Sequence, residues 1–157
     1  MSKKKKYALL LSVFALVILI AGYIGTNQSK YTISKDVSSI EIKPINNIVF
    51  KIEADKKACI IQIQNNSEHY IVTDLQMKPV RIEIQQEGGW HRLLPSKQWV
   101  TDPGAISEGT EYSAGFKWKD VLGGNLKSGT YRAICYVGDG EKEIWDWYTL
   151  ETTFQID

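Results

Sequence analysis

The chain has 157 residues, 43% of them hydrophobic, and carries 19 basic and 18 acidic side chains. That length suits one domain of common size with an appendage. Residues 1–26 hold four lysines and no acid, so the rest keeps 15 basic against 18 acidic residues, a net charge of −3; a mildly acidic domain lacks the overall basic footprint of a nucleic-acid binder, which excludes nucleic acid as a partner.

In chain order, residues 1–6, "MSKKKK", form a short basic lead. Residues 7–25, "YALLLSVFALVILIAGYIG", carry no charge and no proline. As a helix they would extend about 28 Å, close to the ~30 Å hydrocarbon core of a bilayer. A signal-peptide core is shorter, at roughly 7–15 residues. Cleavage sites are also poor, with Tyr23 before Gly25 and Ile20 before Gly22. No cysteine follows to carry a lipid. An uncleaved transmembrane signal-anchor helix over 7–25 is therefore expected in preference to a cleaved signal peptide, with the lipid bilayer as its partner. Lys3, Lys4, Lys5 and Lys6 keep the N-terminus cytoplasmic and send the remaining chain outside. The expected location is the cell membrane, single-pass, with an extracytoplasmic C-terminal domain. A chain rich in Ile, Lys and Asn suits a bacterium.

Residues 26–39 are polar and read as a tether. From 40 to 157 a period of two dominates. Ile40 and Ile42 alternate with Glu41 and Lys43. Ile48, Phe50, Ile52 and Ala54 share one face, as do Cys59, Ile61 and Ile63. The same holds for Val80, Ile82 and Ile84, for Tyr112, Ala114, Phe116 and Trp118, and for Tyr148, Leu150, Thr152, Phe154 and Ile156. Each run reads as a half-buried strand. Turn residues punctuate them at "NNSEH", "EGGW", "TDPG", "SEGT", "LGGN", "KSGT" and "GDGE". Outside the expected anchor, helical spacing is confined to a short turn near "KWKDVLGG". Seven or more short strands predict an all-β sandwich of two antiparallel sheets.

The stretch "LKSGTYRAICYV" adds a corner. Leu126, Gly129 and Tyr131 have the spacing of a chain crossing between sheets. Gly129 allows the turn, and the hydroxyl of Tyr131 can bond back to the corner. Tyr131, Ala133, Cys135 and Val137 then face inward, and Arg132, Ile134 and Tyr136 outward.

Taken together, "IIQIQNNSEHYI", "VRIEIQQEGGWHRLLP", "ISEGTEYSAGFKW", "LKSGTYRAI" and "YTLETTFQI" resemble the bacterial immunoglobulin-like domains of membrane-anchored or secreted Gram-positive proteins. The resemblance implies an immunoglobulin-like sandwich and says little about activity. In an immunoglobulin-like strand order Cys59 would lie on the second strand and Cys135 on the sixth, facing each other across the core. A disulfide there would close about 77 residues and add up to ~4.5 kcal/mol. The alternative is two separate buried thiols.

No chemistry stands out. His69 lies in a polar turn and His91 beside a hairpin, and no histidine pair or Cys-x-x-Cys has metal spacing. Cys135 faces inward, away from any substrate. Asp139 and Glu141 read as a solvated loop, and "GDGEKE" lacks the full calcium-loop pattern. No catalytic, cofactor or metal residue is therefore expected. Trp118 reads as core, and Trp90 as folded over a strand beside its hairpin. Trp145 and Trp147 fall outside the inward phase of their strand, with Tyr136 beside them. That trio is a candidate surface for stacking sugars or burying into a partner. The bland alternative is a bulge that returns both to the core, or packing against the tether or the membrane interface. The expected role is non-enzymatic: presentation of the domain for protein binding or surface assembly. The alternatives are a structural accessory subunit of a membrane complex and a cell-wall or carbohydrate-binding module. The partner would be an unknown surface protein or cell-wall glycan.

Overall fold

The computed structural model describes residues 31–73, 80–96, 104–141 and 147–157. The basic lead 1–6, the expected anchor 7–25 and Trp145 lie outside the described residues. Among those described, no helix is long and apolar enough to cross a membrane.

The described residues form ten strands and one short helix, in order: β1 Thr32–Val37, β2 Ile48–Ala54, β3 Ala58–Asn65, β4 Ile71–Thr73, β5 Arg81–Gln86, β6 Gly89–Leu94, β7 Ala105–Ile106, β8 Glu111–Lys117, α1 Trp118–Leu122, β9 Gly129–Asp139 and β10 Trp147–Ile156. Strands β2, β3 and β8 make the smaller sheet. The larger sheet is built around β9. Strand β10 pairs with it along its length, from Trp147 opposite Gly138 to Ile156 opposite Gly129. On the other side β5 lies opposite Tyr131 to Ile134, and β4 opposite Val137 to Asp139. Strands β6 and β1 extend the sheet beyond β5, and β7 extends it beyond β4. Every pairing is antiparallel.

The alternation read from the sequence sets the core. Ile48 and Phe50, Cys59, Ile61 and Ile63, Ile82 and Ile84, and Tyr131, Ala133, Cys135 and Val137 are buried between the sheets. Burying such side chains on one face of each strand is what drives two sheets together. The corner is present as expected. Tyr131 is buried and its hydroxyl donates to the Lys127 carbonyl at 2.8 Å. Leu126 is buried, and its N–H donates to Lys56 O on the facing sheet's turn at 2.9 Å. Gly129 has φ 156°, a conformation that favours glycine. The short turn at "KWKDVLGG" is α1, ended by Gly123 at φ 84°.

The segment expected as a tether differs. Residues 32–37 form β1, paired antiparallel with β6. Buried His91 of β6 helps hold it, with Nδ1 3.0 Å from Ser34 O. A carbonyl only accepts, so Nδ1 carries the proton. Residues 40–42, expected as a strand, belong to no sheet. They form instead part of a strap over the larger sheet. Ser38 N–H donates to Trp90 O on β6 at 2.7 Å. Its hydroxyl accepts from Arg81 on β5 at 3.2 Å and from Arg132 on β9 at 3.4 Å. Thr149 on β10 donates its hydroxyl to Glu41 O at 3.3 Å and its N–H to Lys43 O at 2.8 Å, and accepts from Lys43 N–H. Arg81, Arg132 and Thr149 all point away from the core, so residues 38–43 cross the outer face from one edge to the other. Serines that read as linker composition serve as hydrogen-bonding partners of the sheet.

The strap also corrects the expected exposure of β9. Arg132 and Ile134 do point outward, but they are 7% and 0% exposed. Glu83 and Thr149, on the same outer face, are 0% and 5% exposed.

Candidate functional site

Beneath the strap lies a buried ion cluster. Glu83 faces Arg81 Nε at 2.5 Å and Arg132 Nη2 at 2.6 Å, with Arg132 Nε donating at 2.7 Å. Arg132 Nη1 lies 3.5 Å from Glu151, and its guanidinium sits 4.8 Å from the Trp90 ring centre. Burial pushes the Glu83 carboxyl up, but the Ser38 hydroxyl and the two guanidinium groups outweigh it and hold the group below the ordinary carboxylate range. The carboxylate stays ionised, and its lone pairs are spent on the fold. This is a structural clasp, closed to substrate.

Of the three aromatics expected to form a binding surface, two can be placed. Tyr136 lies opposite Thr149, and Trp147 opposite Gly138. Both stand on the outer face, half-buried rather than exposed. Trp147 covers its cross-strand glycine: a Cβ on Gly138 would lie 3.9 Å from the indole and 2.8 Å from Val72. Trp145 lies outside the described residues.

A more open recess lies where the strap ends. Residues 44–46, the β3–β4 loop, the end of β9 and the start of β10 enclose a cleft of about 290 Å³. Asn46, Ser67, His69, Tyr70, Asp139 and Tyr148 are among its lining. Buried Asn65 fixes the β3–β4 loop. Its amide nitrogen donates to His69 O at 2.8 Å and Ile106 O at 3.0 Å, while its oxygen accepts from the Ser67 N–H at 3.0 Å and hydroxyl at 2.6 Å. Tyr70 lies flat on Gly140, where any Cβ would come within 2.1 Å of the ring. His69 Nδ1 and Glu141 Oε1, both exposed, bridge the two loops at 3.0 Å. Lys43 Nζ sits 5.0 Å from the Tyr148 ring centre. Aromatic faces beside amide, hydroxyl and carboxylate groups suit binding by stacking and hydrogen bonds. The described partner of His69 is a carboxylate, and that of His91 a carbonyl, so neither is seen activating a hydroxyl or thiol. Among the described residues no group of three His, Cys, Asp or Glu could hold a metal ion.

The cysteines occupy the buried positions expected on facing sheets, but both are free thiols. The expected Cys59–Cys135 bridge is absent. Cys135 turns its thiol along its own strand, donating to Tyr136 O at 3.8 Å. Burial, aided by the charge of Asp55, pushes the Cys59 thiol up to about 12. Such a group stays protonated and inert.

Alternation alone hides both the clasp and the cleft. Glu83 and Arg132 look like ordinary solvent-facing positions. The available signal was Ile134 and Tyr136, apolar residues at outward positions of β9, which imply a cover. The cleft joins four segments, 44–46, 67–71, the end of β9 and the start of β10, and His69, Asp139 and Glu141 singly look like loop polarity.

A family model described as a bacterial Ig-like domain matches residues 45–155. No curated protein and no solved structure matches the chain.

Proposed function

Because the chain belongs to the bacterial Ig-like domain family, we propose that it is a single-pass membrane protein displaying this sandwich outside the cytoplasm as a non-enzymatic module for protein binding or surface assembly. The observation that carries the reading is the uncharged stretch 7–25 behind four lysines, immediately upstream of a family sandwich. The open cleft about Tyr70 and Tyr148 is the contact surface best suited to a partner, with half-buried Tyr136 and Trp147 nearby on the outer face.

One feature favours a second reading, an accessory subunit held against a larger membrane complex. The Tyr31 hydroxyl accepts the Lys127 N–H at 3.3 Å and lies 3.5 Å from the Tyr131 hydroxyl. Only residues 26–30 then separate the span from the docked chain. Such a domain reaches little beyond its own bilayer surface.

The test is protease shaving of intact spheroplasts carrying an epitope at each terminus. The C-terminal epitope is expected to vanish while the N-terminal one persists in the membrane pellet. A C-terminal epitope protected until the membrane is breached would overturn the reading.

A further inference from the structure

We propose that the corner end of the sandwich rests on phosphate-bearing anionic lipid headgroups of the protein's own bilayer, through Lys56, Lys57, Lys119 and Lys127. This rests on the membrane-anchored reading above.

The first support is the length of chain available. Five residues, 26–30, extend at most about 18 Å. They join the end of the span to Tyr31, which is docked on Lys127. The corner therefore cannot move far from the bilayer. The second support is how the fold gathers the lysines there. Lys56 O accepts from Leu126 N–H at 2.9 Å, and Lys57 O accepts from Trp118 N–H at 2.9 Å. Lys119 O accepts from Gly123 N–H at 3.1 Å, and Lys127 holds Tyr31. One hydrogen-bonded knot thus presents four exposed ammonium groups, with Lys117 close by. Among the described residues, Asp55, Asp120 and Asp157 are acids at this end, with Glu53 just before the β2–β3 turn and Glu87 at the β5–β6 hairpin. Asp55 Oδ1 is occupied by the N–H groups of Lys57 at 2.6 Å and Ala58 at 2.8 Å.

The third support is the opposite end. Glu68, Glu108, Glu111, Asp139 and Glu141 lie there, with Lys43. An anionic surface attracts the first end and repels the second, over a Debye length of about 8–10 Å. A leash of at most about 18 Å lets the lysines come within that range. The membrane then sets the domain's orientation and turns the Tyr70–Tyr148 cleft outward.

The test uses the full chain reconstituted in vesicles of phosphatidylglycerol or of phosphatidylcholine. Lys127→Cys and Glu68→Cys are labelled separately with a fluorophore. The native thiols are buried and stay unlabelled in the folded protein. Lipids bearing a headgroup quencher are then added. In phosphatidylglycerol the label at 127 is expected to be quenched several-fold more than that at 68. The difference should shrink in high salt and in a K56Q/K57Q/K119Q background. Equal quenching at the two sites, with the protein still floating with the vesicles, would overturn the inference and leave the anchor standing. Equal effects in both lipids would overturn the recognition of headgroup charge. Failure to float with either vesicle would sink the anchored reading, and the inference with it.

Discussion

Glu83→Ala is expected to destabilise the domain by about 3–5 kcal/mol, because it leaves Arg81 and Arg132 side by side with their shared counter-charge removed. That is a large part of the 5–15 kcal/mol typical of a domain. Urea denaturation followed by tryptophan fluorescence reads the loss. Substituting Arg81, Glu83 and Arg132 together by apolar residues should cost far less, since a cluster removed whole leaves no stranded charge. The pH dependence has a definite sign. The fold holds the Glu83 carboxyl below its ordinary value of about 4.5, so its contribution is fully present above that pH. It is lost as pH falls through the lower, folded value. The wild-type urea midpoint should therefore drop on acidification below about pH 4.5, and Glu83→Gln should show a shallower fall from a lower start. Equal slopes would mean that Glu83 is not held in its charged form.

Trp118→Ala should be comparably severe, at about 3–5 kcal/mol. Trp118 is 0% exposed at the start of α1. Its ring stacks on Phe154 with centroids 6.3 Å apart and planes 4° from parallel, and its Nε1–H donates to Asp55 O at 2.8 Å. It thereby joins β10 of one sheet to the β2–β3 turn of the other. Trp118→Phe keeps most of the apolar contact and loses the hydrogen bond, so about 1–2 kcal/mol is expected for that variant. A Trp118→Phe loss as large as that of Trp118→Ala would assign most of the effect to the indole N–H rather than to packing.

Period-two alternation identified the faces of β2, β3, β5, β8, β9 and β10, because burying one face of a strand leaves a mark on every second residue. The corner was legible for a local reason: Leu126, Gly129 and Tyr131 act within six residues of chain. The strap was not legible. Ser38, Glu41 and Lys43 touch the sheet through a hydroxyl and backbone groups, which leave no hydrophobic pattern behind. Their composition is that of a linker, and only partners at Arg81, Arg132 and Thr149 make them structure. Pairing the two cysteines failed differently. Sequence phase placed both in the core, but it could not say which way a thiol turns once there. The binding surface was partly legible. The outward phase of Tyr136 and Trp147 holds, whereas their half-burial depends on a glycine opposite Trp147 and on a strap nearby.

Residues 31–43 belong to the folded domain through β1 and the strap, although the family match begins only at 45. The direct measurement compares two soluble versions of the domain, one starting at Tyr31 and one at Pro44, by urea unfolding and by binding of an apolar dye. The longer version should unfold cooperatively and bind no dye. The shorter should lose several kcal/mol and bind dye where Ile134 is uncovered. Matching unfolding midpoints with no dye bound to either would contradict the account.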